Sequence, residues 1–198
     1  MRTAFDKLIS WTGLALAAVL LIAGGLLTWA NTFIDSQVHD QLSMQGITMP
    51  EGEALTSLPK ADAAALEQYA GSPLDTGPEA KAFADHYILV HMNASSDGQT
   101  YEEVSGQFIS ITDEQKASEE GQALGGLRQT LFMGNTLRGL LLYGYAFATM
   151  GTIAGIAAYV SFAGGAVLLV LFALGIWHAR RVTQTVKPAA TRQVPQPV

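Results

Sequence analysis

Between Arg138 and Arg180 lie 41 consecutive residues without an Asp, Glu, Lys or Arg. An apolar helix crosses the hydrocarbon core of a bilayer in about 20 residues, so this run is about twice the length of one span. Two architectures accommodate it. In one, a single long helix has residues 159–177 in the membrane, and its upper half rises into a domain outside. In the other, two short spans meet in a hairpin near residues 161–165. The hairpin would leave Arg180, Arg181, Lys187 and Arg192 outside, against the tendency of basic flanks to stay cytoplasmic. The single helix keeps them inside and is the preferred reading, with three spans as the alternative.

A second uncharged run covers residues 8–30. At about 1.5 Å per residue it spans a bilayer once. Arg2 and Lys7 precede it, which places residues 1–7 in the cytoplasm. A cleaved signal peptide is the rival reading, with Thr28-Trp29-Ala30 as a poor cleavage site. The run exceeds the roughly 7–15 apolar residues of a signal core, which favours a retained transmembrane helix. Beyond it, Ile34, Val38 and Leu42 recur every four positions, so the helix should continue past the membrane. Trp11, Trp29 and Trp177 lie near span ends, where amphipathic rings prefer the interface. Arg180 and Arg181 sit where anionic lipid head groups lie.

Small residues mark faces where helices could approach closely. Gly151-x-x-x-Gly155 and Ala154-x-x-x-Ala158 lie on the last helix, and Gly13-x-x-x-Ala17 on the first. The apolar spans hold no ionisable residue at mid-membrane. This counts against a pump, transporter or voltage sensor, which place such groups inside the bundle.

Charged residues make up 14% of the chain, against about a quarter in a soluble globular domain. The deficit is local. Residues 31–137 hold 16 acids and 4 bases, while residues 1–30 sum to +1 and residues 138–198 to +5. An acidic middle with basic flanks argues against nucleic-acid binding, which needs a basic patch on a folded domain. With no cysteine in the chain, disulfides, thiolate zinc sites, iron–sulfur clusters and cysteine nucleophiles are excluded.

The acidic middle reads as short helices. Pro59 suits a helix first turn before residues 60–70, with Gly71 closing it. Thr76-x-x-Glu79, Thr100-x-x-Glu103 and Thr112-x-x-Gln115 are capping boxes. The helix opened at Thr76 should bury Ala80, Phe83, Ala84, Tyr87, Ile88 and His91. Residues 86–92 form a possible strand instead. Gly125-Gly126 should break the chain before the final helix. The expected fold is an all-α membrane protein with two transmembrane helices and an acidic extracytoplasmic domain between them. Its parts are residues 1–7, 8–30, 31–137, 138–179 and a disordered basic tail over 180–198.

Chemistry is hard to find. The four histidines are His39, His86, His91 and His178. His86 and His91 are five apart and do not share a helix face. His86 should face solvent and His91 the core. Asp35, His39 and Asp40 form at most a weak cation site. No nucleophile elbow, P-loop or dinucleotide fingerprint occurs. No catalytic residue, metal or cofactor is expected.

Asp97-Gly-Gln-Thr-Tyr-Glu-Glu-Val104 and Arg128-Gln-Thr-Leu-Phe-Met-Gly-Asn-Thr-Leu-Arg-Gly139, following an N-terminal span and leading into a last apolar helix, resemble a family of small actinobacterial membrane proteins. Its members are commonly labelled aromatic ring-opening dioxygenases. That activity would need a cluster of iron ligands, which the histidines here do not supply. The final apolar run is longer here by several turns. The resemblance implies a setting like that of accessory subunits in actinobacterial respiratory supercomplexes of cytochrome bcc and aa3 oxidase. The expected function is therefore a non-enzymatic accessory or scaffold subunit. Its partners would be integral membrane proteins and anionic lipids, without nucleic acid or small-molecule substrate. The alternative is an envelope sensor that binds a lipid or small ligand. The expected location is the plasma membrane, with both termini cytoplasmic.

Overall fold

The structure, a computed structural model, describes residues 2–185, without the side chains of residues 2–4, 6 and 182–185. Most of the tail predicted over 180–198 therefore lies outside the described residues. The order is α1 (Arg2–Ser43), α2 (Glu53–Thr56), α3 (Lys60–Glu67), α4 (Gly77–Phe83), a π-helical turn (Ala84–Ile88), α5 (Leu89–Ser96), α6 (Tyr101–Ser110), α7 (Asp113–Ala117) and α8 (Glu119–Thr185). No strand occurs among the described residues, apart from one isolated bridge between Thr48 and Pro73. The chain divides into two compact units: Met1–Ala30 with Ala154–Val198, and Asn31–Ile153.

In the first unit α1 and α8 pair antiparallel. Ser10 lies against Gly175, Leu21 against Gly165, and Gly24 against Phe162. The helix α8 runs through residues 161–165 without a break. A hairpin of two spans needs a turn there, and neither proline nor a hydrogen-bonding side chain interrupts the ladder.

The second unit builds its core from the capped helices. Leu66, Leu74, Val104, Leu131 and Leu141 are almost wholly buried. From α1, Val38 and Leu42 join them, the stripe expected from their spacing. All three capping boxes form. Thr76, Thr100 and Thr112 accept from the backbone N–H three residues on, and the side chains of Glu79, Glu103 and Gln115 reach back. Each such box satisfies two orphan donors of a helix start. Gly71 takes φ +70°, and a side chain there would meet the Glu51 carboxylate.

Residues 86–92 are helical, as the reading of a helix opened at Thr76 requires, and the rival strand does not form. Two local expectations fail. Gly125-Gly126 lies inside α8, which begins at Glu119; the bare side of Gly125 receives the Phe108 ring. His91 is exposed, whereas Ile88, Met92 and Ser96 are buried. The π turn adds a residue to one helical turn, so the apolar stripe shifts by one position and carries His91 to the flank.

Candidate interaction surfaces

In the first unit the inward positions of α1 are Ser10, Ala17 and Gly24, and those of α8 include Ala158, Gly165 and Ala179. They recur at seven residues or its multiple, the spacing of a left-handed antiparallel seam. Every one is small, so the backbones approach closely. A Cβ on Gly165 would stand 3.0 Å from Leu21 Cδ2, and one on Gly24 2.9 Å from the Phe162 ring.

Of the residues expected to pack, Ala17 is fully buried and Ala158 nearly so. Ala154 and Gly155 are half-buried. Gly13 is half-buried beside open space, and close approach occurs instead at Gly24, Gly165 and Gly175. Gly151 belongs to the second unit. It is buried against Ile34, and its carbonyl accepts from Asn31 Nδ2 at 2.9 Å. A search for small residues four apart overlooks a seam spaced by seven, and the seven-residue pattern was readable in the chain.

Large apolar side chains point the other way. Leu16, Val19, Ile22 and Leu26 of α1 and Ile156, Val160, Val167 and Val170 of α8 are all more than half exposed. Two helical stretches, Lys7–Ser43 and Glu119–Arg181, are long and apolar enough to cross a membrane. Their most apolar windows are only 11% and 6% buried, whereas a core helix of a soluble protein would be mostly covered. Trp11 meets Phe172 edge-on at 5.9 Å, and the Arg181 guanidinium lies 3.8 Å from the Trp177 ring centre. Trp29 and Arg180 are exposed.

The second unit concentrates its electrostatics at the π turn. Arg138 donates from Nη2 to Asp85 Oδ1 at 2.8 Å and from Nε to the Ala84 carbonyl at 3.2 Å. Lys81 pairs with Asp85 from one turn earlier and lies 5.6 Å from the Tyr145 ring centre. Burial pushes the Asp85 carboxyl up, but hydrogen bonds from Lys81 and Arg138 outweigh it and hold the pKa below the ordinary value. Glu79 behaves alike. Burial raises it, and the Thr76 hydroxyl, the Asp75 and Thr76 backbone N–H groups and the Ser72 hydroxyl together lower it further.

His86 is half-buried with Nδ1 2.8 Å from Asp62 Oδ1, where solvent exposure was expected. His39 lies 3.7 Å from Asp75 and forms no cluster with Asp35 and Asp40. Among the described residues no group of three or more metal-ligating side chains occurs. The Arg138–Asp85 pair was overlooked because the two are far apart in sequence, although Arg138 is the last charge before the long apolar run. The chain matches no family model, no curated protein and no solved structure.

Proposed function

We propose that this chain is a non-enzymatic accessory or scaffold subunit of a larger membrane complex. The observation that carries the reading is the inverted arrangement of the first unit, with small residues inside and large apolar ones outside. Apolar faces of that kind suit lipid and the helices of other membrane proteins. In this reading residues 31–137 lie outside the cytoplasm, both termini lie inside, and Trp11, Trp29, Trp177, Arg180 and Arg181 mark the interfaces.

The resemblance of residues 97–104 and 128–139 to small actinobacterial membrane proteins favours a respiratory setting, such as the cytochrome bcc–aa3 supercomplex. There an excess of acids outside would steer a basic partner or electron carrier. Affinity purification from membranes in mild detergent, followed by mass spectrometry, tests the proposal. Stoichiometric membrane partners are the expected result, and recovery of the protein alone would overturn it. A reporter fused after Val198 should report a cytoplasmic C-terminus.

A further inference from the structure

Residues 31–137 hold 4 bases among 16 acids, and two of those bases meet at one ring. The Arg128 guanidinium carbon lies 5.4 Å from the Phe108 ring centre, and Lys116 Nζ lies 5.8 Å from it. Bare glycines bring these groups together. A Cβ on Gly121 would strike the Gln115 carbonyl, and one on Gly125 would stand 2.9 Å from Phe108. The helices α6 and α7 therefore press directly on the backbone of α8.

The two bases differ in what they face. Lys116 pairs with Asp113 at 3.2 Å, as Lys81 and Arg138 pair with Asp85. Arg128 is half-buried and has no ion pair among the described residues. Its Nε donates to the buried Ser105 hydroxyl at 3.0 Å. Its two Nη groups have no partner among the described residues, and neither is shut off from solvent. The guanidinium is thus held at its inner edge with its outer edge open. Arg128 lines one open pocket with Tyr101, Phe108, Gly125, Gln129 and Phe132. The ring centres of Tyr101 and Phe132 are 5.9 Å apart.

Chemistry selects the occupant. A fixed guanidinium edge matches the two oxygens of a carboxylate or a phosphate. Charge decides between them. One uncompensated cation balances a single negative charge, and a dianion would meet the surplus of acids, with Glu102 and Glu103 directly following Tyr101. The pocket's rings decide the body. Aromatic pairs with centroids about 4.5–7 Å apart gain more than their buried area alone supplies.

We propose that this pocket binds a small aromatic monocarboxylate, with its carboxylate on the Arg128 Nη edge and its ring against Tyr101 and Phe132. The site does not rest on the reading in the preceding subsection. Fluorine NMR of a para-fluorinated phenylacetate, titrated with the full-length protein in an uncharged detergent and with the detergent alone, provides the test. Saturable binding, millimolar or tighter, is expected for so small a ligand. The corresponding amide, which lacks the charge, should bind roughly tenfold more weakly or worse. Arg128→Gln should weaken the acid to the same degree and leave the amide unchanged. Arg128→Lys keeps a charge without the fork and should not restore the affinity. Phe132 is 51% exposed, so Phe132→Ala spares the core; it should weaken binding roughly threefold. Absence of saturable binding would overturn the proposal, as would equal affinity of the wild type and Arg128→Gln. Displacement by hexanoate as readily as by phenylacetate would overturn it too, because the rings would then select nothing. So would equal displacement by inorganic phosphate, which would make the pocket a phosphate site. Binding is read on purified protein, so its failure is distinct from a failure of partner capture.

Discussion

The same two helices pack by opposite rules in the two units. In the second unit α1 and α8 turn Val38, Leu42, Leu131 and Leu141 inward, and the surface carries acids. In the first they turn Ser10, Ala17, Gly24, Ala158 and Gly165 inward and leave leucine, valine and isoleucine outside. Burying large apolar groups is the ordinary response to water. Where the surroundings are as apolar as leucine, that drive vanishes, and close contact between small residues takes over. On the reading proposed above, the difference follows from the solvent each unit meets. All three tryptophans fall in the first unit and five of the six tyrosines in the second. Tryptophan fluorescence and tyrosine near-UV circular dichroism therefore follow the units separately.

The largest expected effect separates the rules directly. Leu66 is fully buried in the second unit, and Leu66→Ala should cost about 2–5 kcal/mol in the tyrosine-monitored transition. Leu26 is 63% exposed in the first, and Leu26→Ala in detergent should move the tryptophan-monitored transition by less than about 0.5 kcal/mol. Equal losses would break the contrast.

Next comes Arg138→Met, which removes the partner of Asp85 and a donor to the Ala84 carbonyl. Hydrogen bonds to charged groups contribute about 1.5–3 kcal/mol, and that is the expected cost. The same pair gives the second unit a dependence on acid. Asp85 and Glu79 both have folded pKa values below their ordinary ones. Their contribution is complete above the unfolded values, about 3.9 and 4.3. It is lost as pH falls through the lower folded values. Thermal scans between pH 6 and pH 3 should show the tyrosine transition falling. The first unit has no carboxylate among its described side chains, and its tryptophan transition should hold through the same acid range. Glu79→Gln should flatten the tyrosine profile.

Gly165→Leu tests the seam. A side chain there meets Leu21 and the Ala17 carbonyl, and overpacking of this kind costs about 1–3 kcal/mol. Gly13→Leu enters open space and should leave the tryptophan transition unchanged or raise it, since leucine favours helix over glycine. A loss at Gly13 equal to that at Gly165 would mean that the seam is not spaced by seven.

Much of this was legible in the chain, for reasons that differ by residue. The capping boxes at Thr76, Thr100 and Thr112 were readable because a cap is a local contract between residues three apart. The continuation of α1 through Val38 and Leu42 was readable as period four. His91 was misplaced because a π turn changes the period without changing composition. Arg138 and Asp85 were missed because nothing local couples them. The pocket at Arg128 was invisible for the same reason, since its walls come from two different helices, α6 and α8.

The smallest expected effect lies at Asn31, whose Nδ2 donates to the Gly151 carbonyl. Inside a helix that carbonyl already accepts from the N–H four residues on. Removing Asn31 therefore orphans no acceptor, and the penalty for a buried unsatisfied group does not arise. What is lost is one interhelical bond, a net of about 0.5–1.5 kcal/mol, with the low end expected because no group is orphaned. Asn31→Ala should show that small loss. Asn31→Leu should show a larger one, because its branched side chain must fit where Ile34 already presses on Gly151. If alanine were as costly as leucine, the hydrogen bond and not the close approach at Gly151 would hold the helices together there.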